Sequence, residues 1–221
     1  MTEPVSVTPT RHALPLRIIQ LMLGLIAYGV SMVLMVQASL GVMPWDVLHQ
    51  GLSFHSGWPM GRVSILVGAL VLLAWWPIRQ RPGFGTVANV LVIGLVFDLV
   101  TPLMVDRIAP LSLPLRGVVL LSGVILNGLA TAAYLGARFG PGPRDGLMTG
   151  ISRRSGWPLR RVRTLIEGSV LGIGFLLGGG LGLGTVLYAL AIGPLIQAML
   201  PLFDPQLRAK KRLAAAAASL P

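Results

Sequence analysis

Six stretches of the chain run apolar with little interruption: residues 16–38, 60–77, 86–105, 116–137, 159–178 and 185–203. An α-helix needs roughly 20 residues to cross the hydrocarbon core of a bilayer, so the pattern predicts six transmembrane helices. The first run outlasts the roughly 7–15-residue apolar core of a signal peptide, although Val36-Gln37-Ala38 resembles a small-residue cleavage site. A different pattern follows it. Trp45, Leu48 and Leu52 fall on one face of a short helix predicted from Pro44 to about Phe54. Proline sets its first turn, and Asp46 sits where the helix dipole favours a carboxylate. A helix of about ten residues is too short to span, which suits an interfacial or re-entrant half-helix. A second begins at Pro143 with Asp145, and Trp58-Pro59 and Trp157-Pro158 restart the next spans with Trp at headgroup level.

These parallels belong to an internal repeat with an offset of 99 residues. Ser-Gly-Trp-Pro occurs at 56–59 and at 155–158, and Gly41-x-x-Pro44-x-Asp46-x-Leu48 matches Gly140-x-x-Pro143-x-Asp145-x-Leu147. Gly83-x-Gly85-Thr86-Val87 matches Gly182-x-Gly184-Thr185-Val186. About 30 of the 88 ungapped pairs between 17–104 and 116–203 are identical. The first apolar run has its partner in the fourth, so it belongs to the fold and is not a leader. Each repeat holds three spans, an odd number, so the second enters the membrane from the opposite side. The expected fold is an all-α membrane protein of six transmembrane helices, arranged as two inverted-topology three-helix repeats, each with a half-helix. The repeats occupy 16–105 and 116–203, joined by an external linker at 106–115; the tails are 1–15 and a basic, Ala-rich 204–221.

Composition agrees. Hydrophobic residues make up 54% and charged residues 11%, with a mean hydropathy of +0.78, which excludes a disordered chain, a nucleic-acid-binding domain and an ordinary soluble enzyme. The net charge of +11 is an orientation signal. Fifteen of the eighteen basic residues fall in the N-terminal tail, the second and fourth loops and the C-terminal tail, leaving Arg62, Arg107 and Arg116 on the other side. By the positive-inside rule both termini are cytoplasmic.

The run Gly-x-x-Pro-Trp-Asp-x-Leu-x-x-Gly-Leu-Ser at 41–53, the Gly-Thr turn at 85–86 and Gly-Pro-Arg-Asp-Gly-Leu-Met at 142–148 resemble the YczE family of bacterial integral membrane proteins, a group related to the YitT-type proteins. The resemblance covers about 16–203. It implies a multi-pass protein of the bacterial inner membrane and brings no catalytic residues.

Ionisable groups inside spans are costly, and by default they are functional candidates. Glu167 lies near the middle of the fifth span, and Asp98 lies in the third, towards the outside. Asn127 belongs to a polar stripe with Gly123, Thr131 and Tyr134 on the fourth. Glu167, Asn127 and Asp98 are the candidate site for an ion or a small polar or cationic solute. Each also has a structural reading, as an interhelical hydrogen bond or a contact with interfacial water. Asp46, Asp145 and Arg144 mark the half-helix ends, where they stabilise the helix N-termini or line a vestibule. Arg153, Arg154, Arg160, Arg161 and Arg163 fit topology first and contact with anionic phospholipid headgroups second. His49 is expected at the interface, and Thr86 and Thr185 as N-caps. With no Cys and three scattered His, no metal site, cofactor or catalytic constellation is expected. The expected function is therefore non-enzymatic: a small secondary transporter or channel-like protein. The alternative is a membrane protein that supports a partner complex.

Overall fold

The structure, a computed structural model, describes residues 13–207. Arg11, Arg208, Lys210, Lys211, Arg212 and the Ala214–Ala218 run lie outside the described residues. Within them every regular element is an α-helix: α1 (Ala13–Ala38), α2 (Pro44–Ser56), α3 (Met60–Leu73), α4 (Phe84–Ile108), α5 (Leu113–Gly136), α6 (Pro143–Ser155), α7 (Leu159–Leu176) and α8 (Leu183–Phe203). The half-helices α2 and α6 start at the repeated prolines. Four helices, α1, α4, α5 and α8, are long and apolar enough to cross a membrane, and the bent pair α2–α3 makes a fifth. Helices α3 and α7 alone do not meet that measure. Helix α3 stops after 14 residues, about 21 Å, because turns take over from Ala74 to Arg79. Helix α7 carries Arg160, Arg161, Arg163 and Glu167 within its 18 residues.

The corner between α2 and α3 bends by 114°, and the repeat motif explains it. Gly57 adopts φ 70°, which needs no Cβ, and its N–H closes on Ser53 O at 2.9 Å. Ser53 Oγ donates to the Trp58 carbonyl at 2.6 Å, and Pro59 opens α3. The copy repeats each contact: Gly156 at φ 71°, its N–H to Ser152 O at 3.0 Å, and Ser152 Oγ to Trp157 O at 2.7 Å.

The two halves are stitched together by matching contacts. Gly85 N–H donates to Phe139 O at 2.9 Å, and Gly184 N–H donates to Leu40 O at 2.8 Å. The chains come so close that a Cβ on Gly83 would lie 2.3 Å from Phe139 O, and one on Gly182 2.3 Å from Leu40 O. Thr86 is not an N-cap but the third residue of α4. Its Oγ1 accepts from Gly83 N–H at 3.2 Å and donates to Pro141 O at 2.8 Å. Arg17 Nε and Nη2 donate to Ala137 O at 3.1 and 3.0 Å, while Arg116 Nε donates to Ala38 O at 2.8 Å. The start of α1 therefore meets the end of α5, and the start of α5 meets the end of α1: the two helices are antiparallel. Gly24 and Gly123 let them approach, since a Cβ on Gly24 would lie 2.9 Å from Tyr134 N. The backbone and arginine contacts from one repeat to the other recur with the roles exchanged. The Thr86 bond does not: its copy Thr185, likewise the third residue of its helix, leaves Oγ1 buried without a partner among the described residues.

The halves differ in one respect. Helices α3 and α4 pack tightly, with a would-be Cβ on Gly94 2.5 Å from Gly61 O. Their counterparts α7 and α8 scarcely touch, and Gly193, the copy of Gly94, has nothing within 4 Å of its would-be Cβ.

At the end of α8, Asp204 accepts from Arg138 Nε and Nη2 at 3.0 and 2.8 Å and from the N–H groups of Gln206 and Leu207, both at 3.1 Å. Burial alone would push its carboxyl up, but these donors hold it below the usual carboxylate range. Its stabilisation is thus present above the unfolded pKa of about 3.9 and lost as pH falls through the lower folded value. Asp204→Asn should remove part of the stability loss on acidification below about pH 4; an unchanged acid limb would contradict this. Gly182→Ala should cost about 1–3 kcal/mol by overpacking, read as a lower unfolding midpoint in detergent. Gly168→Ala, with open space around it, should be neutral or stabilising. Equal stability of the two variants would refute the crossing as a tie between the halves.

Candidate functional site

The N-termini of α2 and α6 converge. Each begins with proline, whose missing N–H is lost where no helical partner exists, and each carries Asp at the third position against the positive helix end. Trp75 Nε1 donates to Pro143 O at 3.0 Å and locates the α6 end. A Cβ on Gly146 would strike that indole. At the meeting point, repeat-equivalent residues touch: the Arg144 guanidinium lies over the Trp45 ring, 4.9 Å from its centre. Arg144 Nη1 also approaches Met43 Sδ at 3.6 Å.

Around this junction is a cavity of about 370 Å³. All three tyrosines of the chain line it, together with Trp45, His49, Asn89, Arg144, Asp145, Arg163 and Glu167. Tyr134 Oη donates to Asp145 Oδ2 at 3.3 Å. Tyr188 Oη donates to Asn127 Oδ1 at 3.0 Å, Asn127 Nδ2 to Ser31 Oγ at 2.9 Å, and Ser31 Oγ to Tyr28 O at 2.6 Å. This buried relay ties α8 to α5 and α1 and fixes the Tyr188 ring at the wall. The α8 side of the wall, with Ile192, Gly193, Ile196 and Gln197, faces the gap between α7 and α8.

The residues singled out from sequence go to different places. Glu167 lines the cavity, where Arg163 Nε donates to its Oε1 at 2.9 Å. Asn127 is fully buried behind the wall as the relay's hinge. Asp98 lies elsewhere: its two oxygens accept the N–H groups of Gly61 and Arg62 at 2.7 and 3.0 Å, capping α3. Arg144 and Asp145 are in the wall. Asp46 is wholly buried against His49, with Oδ1 3.2 Å from Nδ1. Arg153, Arg154, Arg160, Arg161 and Arg163 are all exposed, Arg154 donating to the Pro77 carbonyl and Arg163 also lining the cavity.

The sequence reading placed His49 at the interface, but it is a 1%-exposed wall residue. Its signal was the Asp46-x-x-His49 spacing, which puts both on one face of α2. Tyr28 and Tyr188 were signalled by standing at the repeat positions of Asn127 and Asn89, facing the same axis. Among the described residues, Trp45 Nε1, Asp46 Oδ2, His49 Nε2 and Thr185 Oγ1 are buried without a hydrogen-bond partner. In this arrangement His49 donates from Nδ1 to Asp46, which leaves Nε2 as a lone-pair acceptor.

The chain matches a family of unknown function, DUF6198, over residues 15–201. An "Uncharacterized protein" of Haemophilus influenzae is 41% identical over 177 residues, 80% of each chain. The "Uncharacterized membrane protein YczE" of Bacillus subtilis is 34% identical over 180 residues, 80% of this chain and 81% of its own. The "Uncharacterized protein YyaS" of the same organism is 27% identical over 191 residues, 86% of this chain and 95% of its own. No solved structure matches.

Nitrogen NMR of histidine-labelled protein in nanodiscs tests the buried pair. His49 should carry its proton on Nδ1 at neutral pH, and Asp46→Asn should shift it towards the commoner Nε2 form. A His49 already protonated on Nε2 would contradict the assignment.

Proposed function

The chain belongs to the DUF6198 family and is a membrane protein, as its motif resemblance to YczE implied, and on that premise we propose that it is a small secondary transporter or channel-like protein. In this reading α3 and α7 complete six crossings. The two repeats are inverted about an axis in the membrane plane, and both termini are cytoplasmic in a bacterial inner membrane. The antiparallel α1–α5 pair and the exchanged Gly85–Phe139 and Gly184–Leu40 bonds support the inversion, because an odd number of crossings separates equivalent residues.

The observation that carries the transport reading is a cavity lined by both halves, with charged side chains in a largely apolar wall, beside one tightly packed helix pair and one separated pair. With the basic fourth loop cytoplasmic, the Gly61–Gly94–Asp98 clamp closes the outer end, and the α7–α8 gap opens inwards. Rocking of one half against the other would exchange the two. Exposed Arg153, Arg154, Arg160 and Arg161 then meet anionic headgroups. No chemical step is assigned.

The chain has no cysteine, so Ser64→Cys places a single thiol in the cavity wall. In oriented proteoliposomes a membrane-impermeant maleimide should label it quickly from the cytoplasmic face and slowly, but to completion, from the outer face. Labelling from one face only would reduce the cavity to a blind vestibule and overturn the transport reading.

A further inference from the structure

Four charged side chains line the cavity: Arg144, Asp145, Arg163 and Glu167. Arg163 and Glu167 satisfy each other at 2.9 Å, one helical turn apart. Arg144 and Asp145 are neighbours in sequence but turn apart. Arg144 lies over Trp45, with only a thioether 3.6 Å from its Nη1, while Asp145 turns to the Tyr134 hydroxyl at 3.3 Å. Neither forms an ion pair among the described residues. A guanidinium carries five donors in a fork that fits a carboxylate, and among the described residues no oxygen accepts from them. Within the same chamber, among the described residues, Asp145 has one side-chain donor, the neutral Tyr134 hydroxyl, beside the positive start of α6 and the charge of Arg163. Charges in a low-dielectric site need partners, and a cation and an anion left open to one small space call for a molecule that carries both.

We infer that the cavity binds a small zwitterion, with its carboxylate on Arg144 and its ammonium on Asp145. The inference rests on the reading of the cavity as a solute site. A simple anion would leave Asp145 without an ion-pair partner, and a simple cation would leave Arg144 without one. Tyr28 and Tyr134 line the same cavity; aromatic rings favour an ammonium group. The volume of about 370 Å³ lies at the small end of the usual range for ligand pockets. Repeat symmetry does not explain the pairing, since the position of Arg144 is Trp45 in the first half.

The test is binding, read as the unfolding midpoint of full-length protein in detergent. The probes are the twenty standard amino acids and glycine betaine, with propionate, butyrate and propylammonium as single-charge analogues and sucrose as an osmolyte control. At least one zwitterion should raise the midpoint saturably, and the single-charge analogues should act at least about tenfold more weakly. Arg144→Gln and Asp145→Asn should each weaken the response by about tenfold or more, and Arg153→Gln should leave it unchanged. The inference is overturned if no zwitterion acts saturably, if propionate or propylammonium acts as well, or if either cavity variant responds as the parent does. Two-sided labelling of the Ser64→Cys thiol alongside such a result would leave the transport reading standing and remove only the solute class.

Discussion

Two places where backbone meets backbone hold this fold together. At each, the N-terminus of a long helix donates a hydrogen bond to the chain just before the other repeat's half-helix, Gly85 to Phe139 and Gly184 to Leu40. Glycine is required on both sides of each crossing. Gly83 and Gly182 have no room for a Cβ, and Gly41 and Gly140 sit at φ 108° and 116°, in the region that disfavours side chains. In an apolar medium an unpaired backbone group costs several kcal/mol, so these bonds pin the chain firmly. They also decide where α2 and α6 begin, and hence that both helix starts converge on one cavity.

A symmetric frame does not by itself make a site. The repeats agree where they build corners and crossings, and they diverge around the cavity. Gly61 is replaced by Arg160, Ser64 by Arg163, Gly68 by Glu167 and Asp98 by Gln197. The small set packs α3 onto α4 and lets Asp98 cap α3. The large and charged set leaves α7 and α8 apart and lines the gap with an ion pair. Divergence between the two related halves therefore marks the candidate site, and the same divergence leaves α3 packed on α4 but α7 and α8 apart.

Much of this was legible in the chain. Prolines 44 and 143, the Ser-Gly-Trp-Pro corners and the Gly-x-Gly-Thr turns fix element boundaries through local backbone chemistry, which the sequence carries directly. Long-range partners were not legible. Asp98 looked like a buried functional charge because its acceptor role depends on the N–H groups of Gly61 and Arg62, on another helix. Arg17 and Arg116 counted as orientation signals, yet each also satisfies the last carbonyls of a helix in the other half. His49 was expected at the interface, when its partner lay three residues away in Asp46. The length of α3 was overestimated, since an apolar run does not reveal where a helix gives way to turns.

Equivalent helix pairs in the two halves stand at different separations: α3 packs on α4, whereas α7 and α8 scarcely touch. Leu66 and Leu91 on α3 and α4 are exposed, as are their copies Leu165 and Leu190 on α7 and α8. Each pair can carry two cysteine-linked spin labels in the otherwise cysteine-free chain. Electron–electron resonance in nanodiscs should give a longer and broader distance distribution for Leu165–Leu190 than for Leu66–Leu91. Superimposable distributions would contradict the account.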